Sequence, residues 1–380
     1  MTGAAGPAAE LAARIARHGS VGYDELVEVA LYHPDGGFFA AGGGAGRAGA
    51  DFVTSPEVGP LFGAVVARYL DARWDELGRP DPFVVVEAGA GRGALALAVL
   101  AAAPRCAPAL RYVLVERSAE LRARQGEHLP LVHPFEVLGP QPDPELDSPP
   151  PGQGVGPLVC GLEDLPAQRI DGVVLANELL DNVPFRLAER TAEGWAEVRV
   201  TLREHRPAEL LAALDDTSAE LLDRLAPDAQ VGSRVPVQDR AAGWLARARE
   251  LLVRGSVLVV DYASTTADLA SRPMGDWLRT YRGHARGGDP LEDPGTQDVT
   301  CEVALDQLAR VAPPTSDDTQ AEWLRRWGIE ELVEEGRRAW EAKASAPDLA
   351  AMRGRSRAVE AKALTDPDGL GDFRVLEWRR

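Results

Sequence analysis

Between residues 8 and 30 the apolar side chains Leu11, Ile15, Leu26 and Val29 recur at roughly helical spacing, which predicts helix. The next run, Leu31-Tyr32-His33-Pro34-Asp35-Gly36-Gly37-Phe38-Phe39, is too rich in proline and glycine to continue it. A glycine-rich stretch from Gly42 to Gly49 leads into Asp51-Phe52-Val53-Thr54-Ser55-Pro56-Glu57. Here Thr54 or Ser55 is placed to cap a helix with Pro56 at its first position and Glu57 in its first turn. That helix carries Leu61, Val65, Val66 and Leu70 and ends near Leu77.

From Phe83 the pattern changes to short apolar runs alternating with helical ones. Phe83-Val84-Val85-Val86-Glu87 is an apolar strand ending in a carboxylate, followed by Gly89-Ala90-Gly91-Arg92-Gly93 and an Ala/Leu helix to Ala103. Arg111 to Glu116 predicts a second buried strand, with a helix from Ser118. Further strands are expected at Leu158 to Cys160, Gly172 to Ala176 and Ser256 to Tyr262. Gly139 to Pro157 is so rich in Pro, Gly and Asp that it reads as a surface loop. Trp195 to Leu202 alternates like an exposed-face strand, and helices are expected near 217–226 and 239–253. Residues 266–365 are mostly polar or helical with one β-like run at Val299 to Val303, and Gly371 to Trp378 reads as a closing edge strand. Apolar strands alternating with helices predict an α/β fold with a doubly wound parallel sheet covered on both faces.

Charge narrows the function. The 380 residues carry 41 Lys+Arg against 59 Asp+Glu, a formal charge of −18. Phosphate binding needs a basic stripe, so nucleic acid is not an expected partner. A small-molecule substrate or a basic protein partner suits this balance better. Lys343 and Lys362 are the only lysines, a bias toward arginine that goes with abundant Ala, Gly and Pro and carries no functional signal. Cys106, Cys160 and Cys301 form no CxxC pair and the six histidines no metal-like spacing, so no metal site is expected and a reducing compartment is. The first twenty residues hold no apolar signal core, and no run approaches ~18 apolar residues. The expectation is a cytoplasmic protein without a membrane span.

The glycine turn after the first strand fits two cofactor classes. Gly89, Gly91 and Ala94 satisfy the G-x-G-x-x-G/A wording of a dinucleotide site, while Glu87, Gly89, Gly91 and Gly93 satisfy the acidic-x-G-x-G-x-G pattern of an S-adenosylmethionine (SAM) site. Glu87 decides for SAM: a carboxylate sits badly beside a pyrophosphate but suits a cationic amino group and sulfonium. Glu116, at the end of the next strand, is placed to accept both ribose hydroxyls. At the adenine end, Gly161 stands where an Asp is often found, leaving the backbone of Leu162 or the side chain of Glu163 for that role, or simply a solvated acidic loop.

Ordered motifs along nearly the whole chain resemble one family, the MidA-like SAM-dependent methyltransferases. They include LYHPDGGFF at 31–39, DFVTSPEVGPLFG at 51–63, VEAGAGRGAL at 86–95, VERSAELRARQ at 115–125 and ANELLDNVPF at 176–185. VVDYAS at 259–264, YRGH at 281–284, DPGTQDVT at 293–300, TQAEWLRRWGI at 319–329 and GLGDFRVL at 369–376 continue the series. The chain departs from the family pattern at Ala50, at Leu179-Leu180, where the family has an aromatic pair, and at Ala263.

The resemblance implies a class I methyltransferase fold and N-methylation of arginine on a protein, such as a subunit of respiratory complex I. The implied layout is an N-terminal helical cap with a lid loop over 1–80, a SAM-binding core over 81–265, and a largely helical insertion plus a final core strand over 266–380. Asn177 and Glu178 follow a buried strand, and Glu178 and Asp181 offer two carboxylates that match a planar guanidinium. Asn177, Glu178 and Asp181 are therefore the catalytic candidates, with Asn177 also beside the cofactor; Asp181 could equally cap the following turn. Thr54, Ser55 and Glu57 are candidates for the lid or the substrate side, with helix capping as the alternative. His33 and His284 lie in family-like motifs but read as packing residues. A small-molecule N- or O-methyltransferase and a non-catalytic SAM-binding assembly factor stay open as rivals, and the oligomeric state is not legible.

Overall fold

The computed structural model describes residues 6–43, 54–139, 154–283, 285–346 and 348–380. The glycines from Gly44 to Gly49, Ala50, Asp51 to Val53, most of the Pro/Gly-rich loop (140–153) and His284 lie outside the described residues. The chain divides into two compact units, each made of separated stretches: Val53–Asn177, Ala248–Val260 and Pro314–Arg380 in one, and Met1–Phe52, Glu178–Arg247 and Asp261–Pro313 in the other. This division differs from three consecutive segments with boundaries at 80 and 265. Units follow packing, and packing joins stretches that the chain separates.

The first unit is built on a seven-stranded sheet. Its strands, in chain order, are β1 Phe83–Ala88, β2 Leu110–Val115, β3 Leu158–Leu162, β4 Ile170–Asn177, β5 Leu252–Asp261, β6 Ser316–Thr319 and β7 Arg374–Arg379. Across the sheet they run β3-β2-β1-β4-β5-β7-β6. The pairs from β3 to β5 are parallel and β6 is antiparallel to β7. Every residue of β1 and of β2 is buried, as expected where both faces are covered. The strand order reverses between β1 and β4, and in such sheets the crevice at the carboxyl ends of those strands is where ligands bind.

Two expectations about this unit need correction. The closing strand β7 is not at the edge: β6 lies outside it, and Arg380 exchanges two backbone hydrogen bonds with Gly255 of β5. A lone apolar run at the end of a chain does not reveal that the short polar segment Ser316–Thr319 will cover it. Nor is the region before Phe83 one helix. Ser55–Val58 and Pro60–Glu76 are separate, and Thr54, at the N-cap position of the first, makes no side-chain cap. Instead Glu360, from the distant helix Leu349–Leu364, accepts the Leu61 N–H at 2.9 Å, and Ser55 donates its hydroxyl to Gln320 at 3.0 Å. The core packs Phe62, Tyr69, Tyr112 and Trp323 around the strands. Tyr69 reaches Glu377 of β7 and Ser256 of β5 at 2.8 and 2.7 Å, fastening its helix across the sheet.

The second unit is mostly antiparallel. Helix Pro7–His18 ends at Gly19, and Val21–Gly22 pairs with Val200 and Arg199 before helix Tyr23–Tyr32 begins, so the expected single helix over 8–30 is interrupted. Arg186–Thr191, Gly194–Arg203, Arg206–Ala213 and Arg234–Val237 complete a five-stranded sheet. Gly194–Arg203 alternates because one face packs on Tyr23, Leu26, Phe185 and Leu187. A three-stranded sheet holds Leu278–Arg282 between Ala285–Arg286 and Asp298–Cys301. Residues 266–313 are thus less helical than their polarity suggested.

Candidate active site

The chain leaves β1 through Gly89-Ala90-Gly91-Arg92-Gly93 and enters the helix Ala94–Ala101. Gly89, Gly91 and Gly93 have φ of 71°, 52° and 83°, left-handed values that glycine adopts at no steric cost. A Cβ placed on Gly91 would meet nothing within 4 Å, so open space lies beside the turn. Backbone N–H groups at the start of the helix complete a polar edge suited to a ligand carrying a carboxylate.

Two carboxylates flank this turn. Glu87 is 4% exposed and its Oε2 accepts the Tyr112 hydroxyl at 2.6 Å. Burial pushes its carboxyl up to about 7, against the opposing pull of hydrogen bonds from Tyr112 and the Ala96 backbone. Glu116 follows β2 and is 9% exposed; its Oε2 accepts the Gly91 N–H at 2.9 Å and its Oε1 the Ser118 N–H at 2.7 Å. Burial raises the Glu116 carboxyl too, and backbone hydrogen bonds from Ser118, Gly91 and Arg117 pull it back. A carboxylate has about four acceptor positions, so these bonds leave room for a diol hydroxyl.

Leu162 closes β3, and its carbonyl accepts the Glu116 N–H at 3.0 Å, which ties the end of β3 to the ribose-side carboxylate. Glu163 stands exposed, 3.5 Å from Arg122. Asn177 closes β4, one residue past the pairing of Ala176 with Ala88. Glu87, Gly89, Gly91, Gly93, Glu116, Leu162 and Asn177 therefore share one edge of the sheet. Glu57 lies in the first turn of Ser55–Val58. Ser55 is fully buried and fixed to Gln320, so its hydroxyl anchors the segment and is no part of an open lid.

In the second unit, the other acids form a cluster of their own. Glu178 has φ of 50°, a value rare outside glycine. Asp181 is buried in the turn Leu180–Asn182, where its Oδ2 accepts from the Tyr262 hydroxyl at 2.9 Å and the Thr300 hydroxyl at 2.6 Å. Asp181 is not the residue that holds the N–H groups of Leu180 and Asp181. Asp261 is, accepting the Leu180 N–H at 2.9 Å and the Asp181 N–H at 3.3 Å on one oxygen and the Tyr262 N–H at 3.0 Å on the other. Burial raises both carboxyls; for Asp261 the neighbouring Asp181 and Glu178 charges raise it further. Tyr112, Gln125, Asp261, Tyr262 and Thr300 were not singled out as site residues from the sequence. Their only signal was membership in the expected strand Arg111 to Glu116 or in the motif runs VERSAELRARQ, VVDYAS and DPGTQDVT.

A sequence model of a family of S-adenosyl-L-methionine-dependent methyltransferases matches residues 65–320. The chain belongs to that family. This methyltransferase is similar to a crystal structure of a Burkholderia thailandensis protein bound to S-adenosyl-homocysteine, with 27% identity and a TM-score of 0.78, covering 98% of this chain and 92% of that one. It is also 26% identical to the protein arginine methyltransferase NDUFAF7, mitochondrial, of Danio rerio over 344 residues, 85% of this chain and 77% of the relative. The Drosophila melanogaster homologue is 27% identical, over 80% of this chain and 69% of its own length. The MidA-like resemblance, the class I fold and the SAM cofactor are borne out together. The residues present fit that cofactor: open space beside Gly91, unused lone pairs on Glu116 for the ribose, and the Glu87 carboxylate as a counter-charge to a cationic donor. No helix among the described residues is long and apolar enough to cross a membrane.

Proposed function

We propose that this methyltransferase N-methylates arginine on a protein partner. The observation that carries the reading is the backbone of Glu178, held at φ 50° directly after β4. Residues kept in sparsely populated conformations cost about 1–3 kcal/mol and cluster at functional sites. The strained residue is an acid beside two more acids, Asp181 and Asp261, which favours a cationic acceptor. A carboxylate pairs with a planar guanidinium through parallel N–H···O bonds, which orients one nitrogen and lowers the cost of bringing the cation out of water.

When bound, SAM supplies an electrophilic methyl group. The chain's own contribution is to orient the guanidinium and to accept the proton that its nitrogen loses as the new N–C bond forms, a role open to Glu178. The relatives named protein arginine methyltransferase support this acceptor. The net charge of −18 supports a basic partner, and the family resemblance points to a respiratory complex I subunit.

The test is label transfer from tritiated SAM in cell lysate, comparing wild type with Glu178→Gln. Label entering protein with wild type, and strongly reduced with the variant at unchanged SAM affinity, supports the reading. Label entering only small molecules overturns it in favour of a small-molecule methyltransferase. Binding of SAM without any transfer overturns it in favour of an assembly factor.

A further inference from the structure

Gly91 is the glycine beside which the open space lies, and both of its backbone polar groups are held by side chains from one short segment. Its N–H donates to Glu116 Oε2 at 2.9 Å, and its carbonyl accepts Gln125 Nε2 at 3.0 Å. Gln125 is wholly buried, at the start of the short turn Gln125–Glu127 that follows the helix Ala119–Arg124. Its other amide atom, Oε1, has no hydrogen-bond partner and would lie 2.8 Å from a Cβ on Gly161. Turning the amide over would set Oε1 against the Gly91 carbonyl, two acceptors face to face, so the observed orientation is the one that bonds.

An orphaned buried acceptor costs free energy that an apolar side chain of similar shape would avoid. A residue kept for packing alone would not need an amide here. What the amide gains is a donor aimed at the carbonyl of a glycine whose φ is positive and whose neighbours, Gly89 and Gly93, are equally free to rotate. Glu116 alone fixes one peptide group of the turn and Gln125 fixes the next.

We propose that Gln125 is a positioning residue for the cofactor, and that Glu116 and Gln125 act on Gly91 as a two-sided clamp. The clamp couples the two ends of the ligand. Glu116 spends one lone pair of Oε2 on the turn and keeps another for the ribose, so recognition of the ribose and the shape of the turn beside the amino-acid tail depend on one carboxylate. Gln125 never touches the ligand, because its free oxygen is sealed from solvent. It acts through the carbonyl of Gly91. The inference rests on the SAM assignment, which binding of S-adenosylhomocysteine by the wild-type protein checks separately.

The experiment is calorimetric titration of two ligands into wild type, Gln125→Met, Glu116→Gln and the double variant. S-adenosylhomocysteine carries the amino-acid tail, and 5′-methylthioadenosine shares its adenosine but lacks the tail. Methionine matches the length of glutamine and removes both the donor and the orphaned acceptor. The expected result for Gln125→Met is an unchanged or higher melting temperature, about a tenfold weaker S-adenosylhomocysteine and at most about a twofold change for the tail-less ligand. The double variant should lose less than the product of the single losses, since both side chains act on Gly91. Equal weakening of both ligands, a lowered melting temperature accounting for the loss, or multiplicative losses in the double variant would each overturn the clamp.

Discussion

Tyr112 donates its hydroxyl to the Glu87 carboxylate at 2.6 Å, joining β2 to β1 beneath the glycine turn. Among the described residues, the one charge that acts on Glu87 is that of Glu116, another acid. A buried acid in that state stays part-protonated near neutrality, and burial does push it up to about 7.

The pH dependence follows, with its sign fixed by the raised value. Below about 7 the folded protein holds the Glu87 proton that the unfolded chain releases near 4.5, so stability falls as pH rises between those values and levels off above. Binding of a cationic donor runs the other way, because it favours the ionised carboxylate. SAM affinity measured by calorimetry should therefore rise roughly tenfold from about pH 6 to about pH 8, with proton release near pH 7. Glu87→Gln should flatten that dependence. A dependence that persists in the variant assigns it to another group.

Glu116→Ala removes two backbone hydrogen bonds and the acceptor for the ribose diol. Loss of charged hydrogen bonds of this kind costs about 1.5–3 kcal/mol, or roughly ten- to hundredfold in SAM affinity. Circular dichroism should report an intact fold, since the sheet does not depend on this side chain. Unchanged affinity would make Glu116 a structural brace for Gly91 and Ser118 only.

Glu178→Gly separates strain from function. Glycine takes a φ of 50° freely, so the substitution should leave stability unchanged or raise it by up to about 1 kcal/mol in urea unfolding. Turnover should fall sharply all the same, as it should for Glu178→Gln, while SAM affinity stays within about twofold. A glycine variant that is more stable and fully active would mean that the left-handed backbone serves only the turn.

The parallel half of the fold was legible because its strands are wholly apolar, and the glycine turn because Gly89, Gly91 and Gly93 stand two apart after an acid. What escaped was whatever depends on packing across distant stretches. β6 is Ser-Asp-Asp-Thr, which no hydrophobic pattern marks, yet it pairs with β7 and takes the sheet's edge. The antiparallel strands at 186–237 carry charged residues on their outer face, so only Trp195 to Leu202 showed through. Asp261 lies inside the expected strand Ser256 to Tyr262, and nothing in that pattern shows that its carboxylate fixes the turn holding Asp181 across 80 residues of chain. Glu178 was found by its place after an apolar strand, but its left-handed backbone was not, since glutamate carries no sequence signal for one.

The central claim is that the methyl group ends on arginine. Incubating the purified protein with SAM and a basic protein fraction, then hydrolysing the product completely and separating the amino acids by mass spectrometry, measures it most directly. The account predicts a gain of 14 mass units on free arginine, or of 28 for two methyl groups, absent without enzyme and strongly reduced with Glu178→Gln. Methyl groups recovered on lysine, on histidine or only on small molecules would contradict it.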